Sequence, residues 1–139
     1  MDATSFNERG RIHDPAATED DRLYAAAMHL SLLAHLVISF FAVLIPIIMW
    51  QVRKNQARFI NDHGRECVNF QITLLIYAVL LPLLAFVLGV LTCGVGFVLV
   101  PIALAIPYVL GFIGMIMAAL AAKRGELFRY PMTIRMLGG

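Results

Sequence analysis

Charge is what this chain has least of. Asp, Glu, Lys and Arg together make up 14% of its 139 residues, against about 25% in soluble domains. A surface so poor in charge does not suit water, and the chain is expected to sit in a membrane. Cysteine is scarcer still, with only Cys67 and Cys93. If both belong to one helix they stand about 26 residues and roughly 39 Å apart, too far to bridge. No Cys-x-x-Cys or Cys/His spacing frames a structural zinc. The opening "MDATSFNERGRIHDPAATEDD" has no apolar core, so a cleavable signal peptide is not expected.

What the chain has is hydrophobic residues, 60% of the total. They fall in three runs, at about 23–50, 67–92 and 96–122, each longer than the ~20 residues that cross a ~30 Å hydrocarbon core. The expected fold is an all-α integral membrane protein, a small bundle of three transmembrane helices. An acidic disordered tail (1–22) precedes this 23–122 domain, and a basic cytoplasmic tail (123–139) follows it. The short "TCGVG" turn makes the second and third spans a hairpin, with Gly94 and Gly96 free to take positive φ. An interfacial elbow joins helices 1 and 2, with Phe59 and Ile60 dipping inward. Arg53, Lys54, Arg58, Lys123, Arg124 and Arg129 are expected to meet anionic lipid headgroups on the cytoplasmic face. Three spans put the N-terminus outside. Pro46 and the polar first half of the first run support an alternative, a run broken into two half-helices that returns the N-terminus to the cytoplasm.

At 100° per residue, Ser31, His35, Ser39, Ala42 and Pro46 share one face of the first run. Asp62, Glu66, Asn69, Thr73 and Tyr77 share one face of the second. Such groups avoid lipid. They either hydrogen-bond between helices or line a polar path between helices 1 and 2. Small residues also form stripes: Ala78, Pro82, Ala85 and Gly89 on the second helix, and Gly111, Gly114, Ala118 and Ala122 on the third. These predict close backbone approach.

The stretch "FINDHGRECVNFQ" holds the densest chemistry. Asn61 or Asp62 can cap a helix start, with Glu66 near the positive end of its dipole. His29 and His35 are six residues apart and cannot share a metal as an i, i+4 pair does, and no histidine in another span completes a bis-histidine site. His63 with Glu66 is too sparse for a carboxylate-bridged centre. Asp62, His63, Glu66 and Cys67 offer the residue types for catalysis without any framing motif. No catalytic residue, metal site, cofactor or nucleic-acid partner is assigned.

The segments "HLSLLAHL", "LIPIIMWQVRKNQARFINDHGRECVNFQ" and "AAKRGELFRYPMTIR" resemble the bacterial Tic-twenty-like membrane family of unknown function. Its F-x-x-x-H-x-[KR]-E-x-x-N-F-Q signature matches through His63, Arg65, Glu66, Asn69, Phe70 and Gln71. Its G-E-x-x-x-Y-P pattern matches through Gly125, Glu126, Tyr130 and Pro131. The resemblance implies a multi-pass protein of the bacterial inner membrane, a helical subunit within a larger complex. The expected function is therefore a non-enzymatic scaffold, with a transport or channel component as the alternative. Its expected partners are the bilayer and further copies of itself or other membrane proteins.

Overall fold

The computed structural model describes residues 5–34 and 43–138. Helix α1 (Glu19–Leu30) starts at a capping box: Thr18 Oγ1 accepts from the Asp21 amide at 3.2 Å, and the Asp21 carboxylate accepts from the Thr18 amide at 3.0 Å. Glu19, Asp20 and Asp21 in its first turn complement the helix dipole. A 3-10 turn, Ser31–Ala34, follows. Helix α2 spans Leu44–Arg53, α3 spans Arg58–Leu91 and α4 spans Leu99–Lys123.

The 34 residues of α3 reach about 51 Å. Together with the Val95–Lys123 stretch it is one of two elements long and apolar enough to cross a membrane. Only 11% and 17% of their most apolar windows are buried within the chain. The core helix of a soluble protein would bury far more, so these faces suit lipid. The reversal between them is tight because Cys93 (φ 49°) and Gly94 (φ 101°) both enter the left-handed region. Gly96 serves differently from the expectation. Its φ is not positive, and its role is close approach, since a Cβ there would lie 2.8 Å from the Leu88 carbonyl carbon.

The first apolar run does not behave as one spanning helix. Arg53 Nη1 meets Asp20 Oδ2 at 2.6 Å, and the Tyr24 hydroxyl donates to the Met49 carbonyl at 2.8 Å. A continuous helix would separate residues 20 and 53 by about 50 Å. Both ends of the run are thus held at one end of the molecule, as in the broken-segment alternative, and among the described residues two helices rather than three are long and apolar enough to span. His35 and Ser39 lie outside the described residues.

The elbow is also shorter than expected. Helix α3 begins at Arg58 behind Ala57, which has no side chain to cap it. Asn61 and Asp62 lie within the helix and do other work: Asn61 accepts from Trp50 Nε1 at 2.9 Å, and Asp62 pairs with Arg129. Trp50 packs directly over Gly64, where a Cβ would come within 2.1 Å of the indole. Phe59 and Ile60 are fully buried rather than lodged at an interface.

Small residues bring α1, α3 and α4 together. Ala25, Ala26, Phe59, Ala119 and Ala122 form one cluster, and Phe70, Ala118, Ala121, Phe128 and Tyr130 another. The Phe70 and Tyr130 rings stack at 3.7 Å over Gly114, the α4 glycine whose missing side chain leaves them room. Part of the N-terminal tail expected to be disordered is ordered instead. Strands β1 (Ser5–Phe6) and β2 (Ile12–His13) pair antiparallel. Beyond them, Leu127 N donates to Ile12 O at 2.8 Å and Asp14 N to Gly125 O at 3.1 Å.

Candidate functional site: a polar head locked by the C-terminal tail

At the end of the α3–α4 hairpin away from its turn, the chain following α4 runs along the polar stripe of α3. Each polar side chain of that stripe meets tail backbone or a tail side chain. Asp62 takes both Arg129 terminal nitrogens, at 2.5 and 2.7 Å. Glu66 Oε1 accepts from the Tyr130 amide at 2.9 Å and faces Arg135 at 3.4 Å. The Asn69 amide donates to Leu137 O at 3.1 Å, while its oxygen accepts from the Met136 and Leu137 amides at 3.1 and 2.8 Å. Thr73 Oγ1 accepts from the Ile134 amide at 3.0 Å, and the Tyr77 hydroxyl donates to Met132 O at 2.8 Å. Arg65 reaches the Gly138 carbonyl at 2.7 Å. A buried backbone amide left without a partner costs about 1–3 kcal/mol, and α3 supplies the partners that the irregular tail lacks.

The stripe therefore faces the chain's own tail. Ser31 hydrogen-bonds within its own turn, to Met28 O at 2.7 Å. Gln71 stands apart: its side chain is buried, and neither its Oε1 nor its Nε2 has a hydrogen-bond partner.

Behind the stripe lies a contact that sequence reasoning missed. His29 Nε2 and His63 Nδ1 are 2.8 Å apart, His63 Nε2 is 3.2 Å from the Glu126 carbonyl, and the Tyr130 hydroxyl is 2.8 Å from His29 Nδ1. The chemistry of the ends fixes the protons between. A carbonyl only accepts, so His63 carries its proton on Nε2 and offers Nδ1 as acceptor. His29 Nε2 then donates, and its free Nδ1 accepts from Tyr130. With both imidazoles neutral, this is the one arrangement that gives every contact a donor and an acceptor. Burial, reinforced by the neighbouring His63, holds the His29 pKa well below the ordinary histidine value. Both ring nitrogens of His63 are engaged in this chain. The pairing was hidden because it joins the first apolar run to the start of α3, and only the doubling back of that run brings them together.

The residues expected at lipid headgroups divide. Arg53 is held by Asp20 and lies 4.3 Å over the Tyr24 ring, and Arg129 is held by Asp62. Lys54 sits 5.8 Å over the Trp50 ring, and Arg124 pairs with Glu126 at 3.1 Å. Arg58 and Lys123 are exposed. The Glu126 side chain is almost fully buried. Burial alone would raise its pKa, but hydrogen bonds from Arg124 and Asn7 and the charges of Arg124 and Arg11 bring it below the usual carboxylate value.

The model of the magnetosome magnetite crystal formation protein family matches residues 20–137. The chain belongs to that family. No curated protein and no solved structure matches it. Membership in the magnetosome family overturns the resemblance to the Tic-twenty-like family. The residues that carried that resemblance are the ones that build the head: Glu66 and Asn69 clamp the tail, His63 and Tyr130 belong to the buried chain, and Phe70 stacks on Tyr130. The match covers α1 to α4 and the tail up to Leu137, and leaves β1 and β2 outside it.

Proposed function

We propose that the chain is a non-enzymatic scaffold of the magnetosome membrane that serves magnetite crystal formation. The α3–α4 hairpin crosses the bilayer and the polar head lies against one face of it. The reading rests on family membership and on one observation above all: the polar stripe of α3, which a transport path would leave open to its cargo, is hydrogen-bonded along its length to residues 129–138. Head and basic residues share one end, which the positive-inside rule assigns to the cytoplasm. Exposed Lys123 and Arg58 flank that end and suit anionic headgroups, at about 1 kcal/mol per charge near the surface. The lipid-facing side chains of α3 and α4 offer contact surfaces for further copies or other membrane proteins.

The test is complementation of cells lacking the chromosomal copy. Asn69→Leu, which removes the three hydrogen bonds of that side chain to the tail, is expected to insert in the membrane yet give crystals of altered size, measured by electron microscopy. Normal crystals from an inserted variant with a demonstrably detached tail would sink the scaffold reading. Iron flux through proteoliposomes of the purified protein would replace it with transport.

A further inference from the structure

One cluster at the head is not consumed by fastening the tail. Around the buried carboxylate of Glu126 stand three guanidinium groups: Arg124 at 3.1 Å, Arg11 at 3.6 Å and Arg9 at 4.0 Å. Their side chains remain 39%, 48% and 68% exposed, whereas that of Glu126 is 2% exposed. The carboxylate is thus buried among cations whose own side chains remain accessible. Among the described residues, Glu126 is the single carboxylate within ion-pair distance of any of the three. Three positive charges against one negative leave two uncompensated. Alongside, Arg22 Nε is buried with no partner, next to Gly125.

We propose that Arg9, Arg11 and Arg124, ordered by Glu126, form a binding site for a phosphate group. Guanidinium forks match phosphate oxygens two at a time, and a phosphate monoester carries about the charge the cluster lacks. Two neighbouring features fit a phospholipid headgroup as the source. Arg124 caps the C-terminal end of α4, where that helix leaves its apolar stretch. Phe6 and Ile12, directly opposed in the β1–β2 pair and so on one face, are 76% and 44% exposed, which suits shallow insertion beside headgroups. Arg9 and Arg11 precede the family-matched region, so the site is completed by this chain's own N-terminal hairpin.

The lipid arm rests on the reading of α3–α4 as a membrane hairpin. The full chain is reconstituted in phosphatidylcholine nanodiscs containing one-tenth phosphatidic acid, and retained lipid is read by native mass spectrometry. Wild type should retain phosphatidic acid preferentially, with a loss of about fivefold in that preference per arginine removed in Arg9→Gln and Arg9→Gln/Arg11→Gln. Arg53→Gln, outside the cluster, should leave the preference unchanged. In parallel, inorganic phosphate is titrated onto detergent-solubilised protein and followed by phosphorus NMR, so the site is read even if the hairpin does not insert. Phosphate binding that needs Arg9 and Arg11 but brings no lipid preference assigns the site to a soluble phosphate compound. Equal lipid preference and equal phosphate binding in wild type and double variant overturn the proposal.

Discussion

Asn69 does the most fastening of any single side chain, since its one amide satisfies three backbone groups of residues 136 and 137. At about 1 kcal/mol per net hydrogen bond, Asn69→Leu should lower unfolding stability by roughly 2–3 kcal/mol, read by thermal unfolding in detergent. His29 makes the molecule sensitive to acid. Its folded pKa is depressed while its unfolded value is near 6.5, so the unfolded chain binds the extra proton. Stability is then full above about pH 6.5 and falls as pH is lowered from there. Glu126, also depressed, should add a further loss as pH falls through the ordinary carboxylate range. Unfolding midpoints measured from pH 7.5 to 5 should decline, and His29→Gln should flatten that slope while lowering the midpoint at pH 7.5. A wild-type midpoint independent of pH over that range would remove the neutral-histidine account.

Among elements, the doubling back of the first run makes the sharpest prediction. Asp20→Cys with Arg53→Cys should cross-link within one chain by a short thiol reagent, because the native side chains touch; a helix crossing the membrane would hold them about 50 Å apart. At the far turn, Gly96→Ala places a methyl group 2.8 Å from Leu88 backbone and should lower stability by about 1–3 kcal/mol through overpacking. The tight reversal and the shared face of the polar residues of α3 were legible in the sequence, because turn glycines and 100° periodicity are local properties, whereas the start of the helix at Arg58, within the expected elbow, was not. The position of Gly96 beside backbone was legible only as a glycine. The partner of the stripe was not legible at all. Residues 129–138 carry no periodicity of their own, and what aligns them with α3 is backbone hydrogen bonding, to which the sequence of the tail is nearly blind. The first run was misread for a related reason: its hydrophobicity equals that of a span, and the Asp20–Arg53 pair that closes it lies 33 residues apart.

As a whole the molecule is two-ended, with an apolar hairpin closing at Cys93–Gly94 and a head made from both terminal regions. Membrane-impermeant maleimide applied to oriented vesicles should label Cys93, which is exposed, from the side opposite a cysteine placed at Asp20. Cys67, buried beside Met28, should stay unlabelled until the protein unfolds. Labelling of both exposed positions from the same side would mean that the hairpin does not cross. The expectation of a membrane protein survives at this scale, with two helices among the described residues long and apolar enough to span.

The clamp between α3 and residues 129–138 also bears on the order of events at the ribosome. Helix α3 leaves the exit tunnel before the partners of Asp62, Glu66, Asn69 and Thr73 exist, because the Arg129 guanidinium and the tail amides that meet them lie 61 to 67 residues further along the chain. Insertion of the α3–α4 hairpin can run alongside translation, but closure of the head has to wait until residues 129–138 have emerged. During that interval the first turns of α3 belong in water rather than lipid, a holding position set by timing as much as by hydrophobicity.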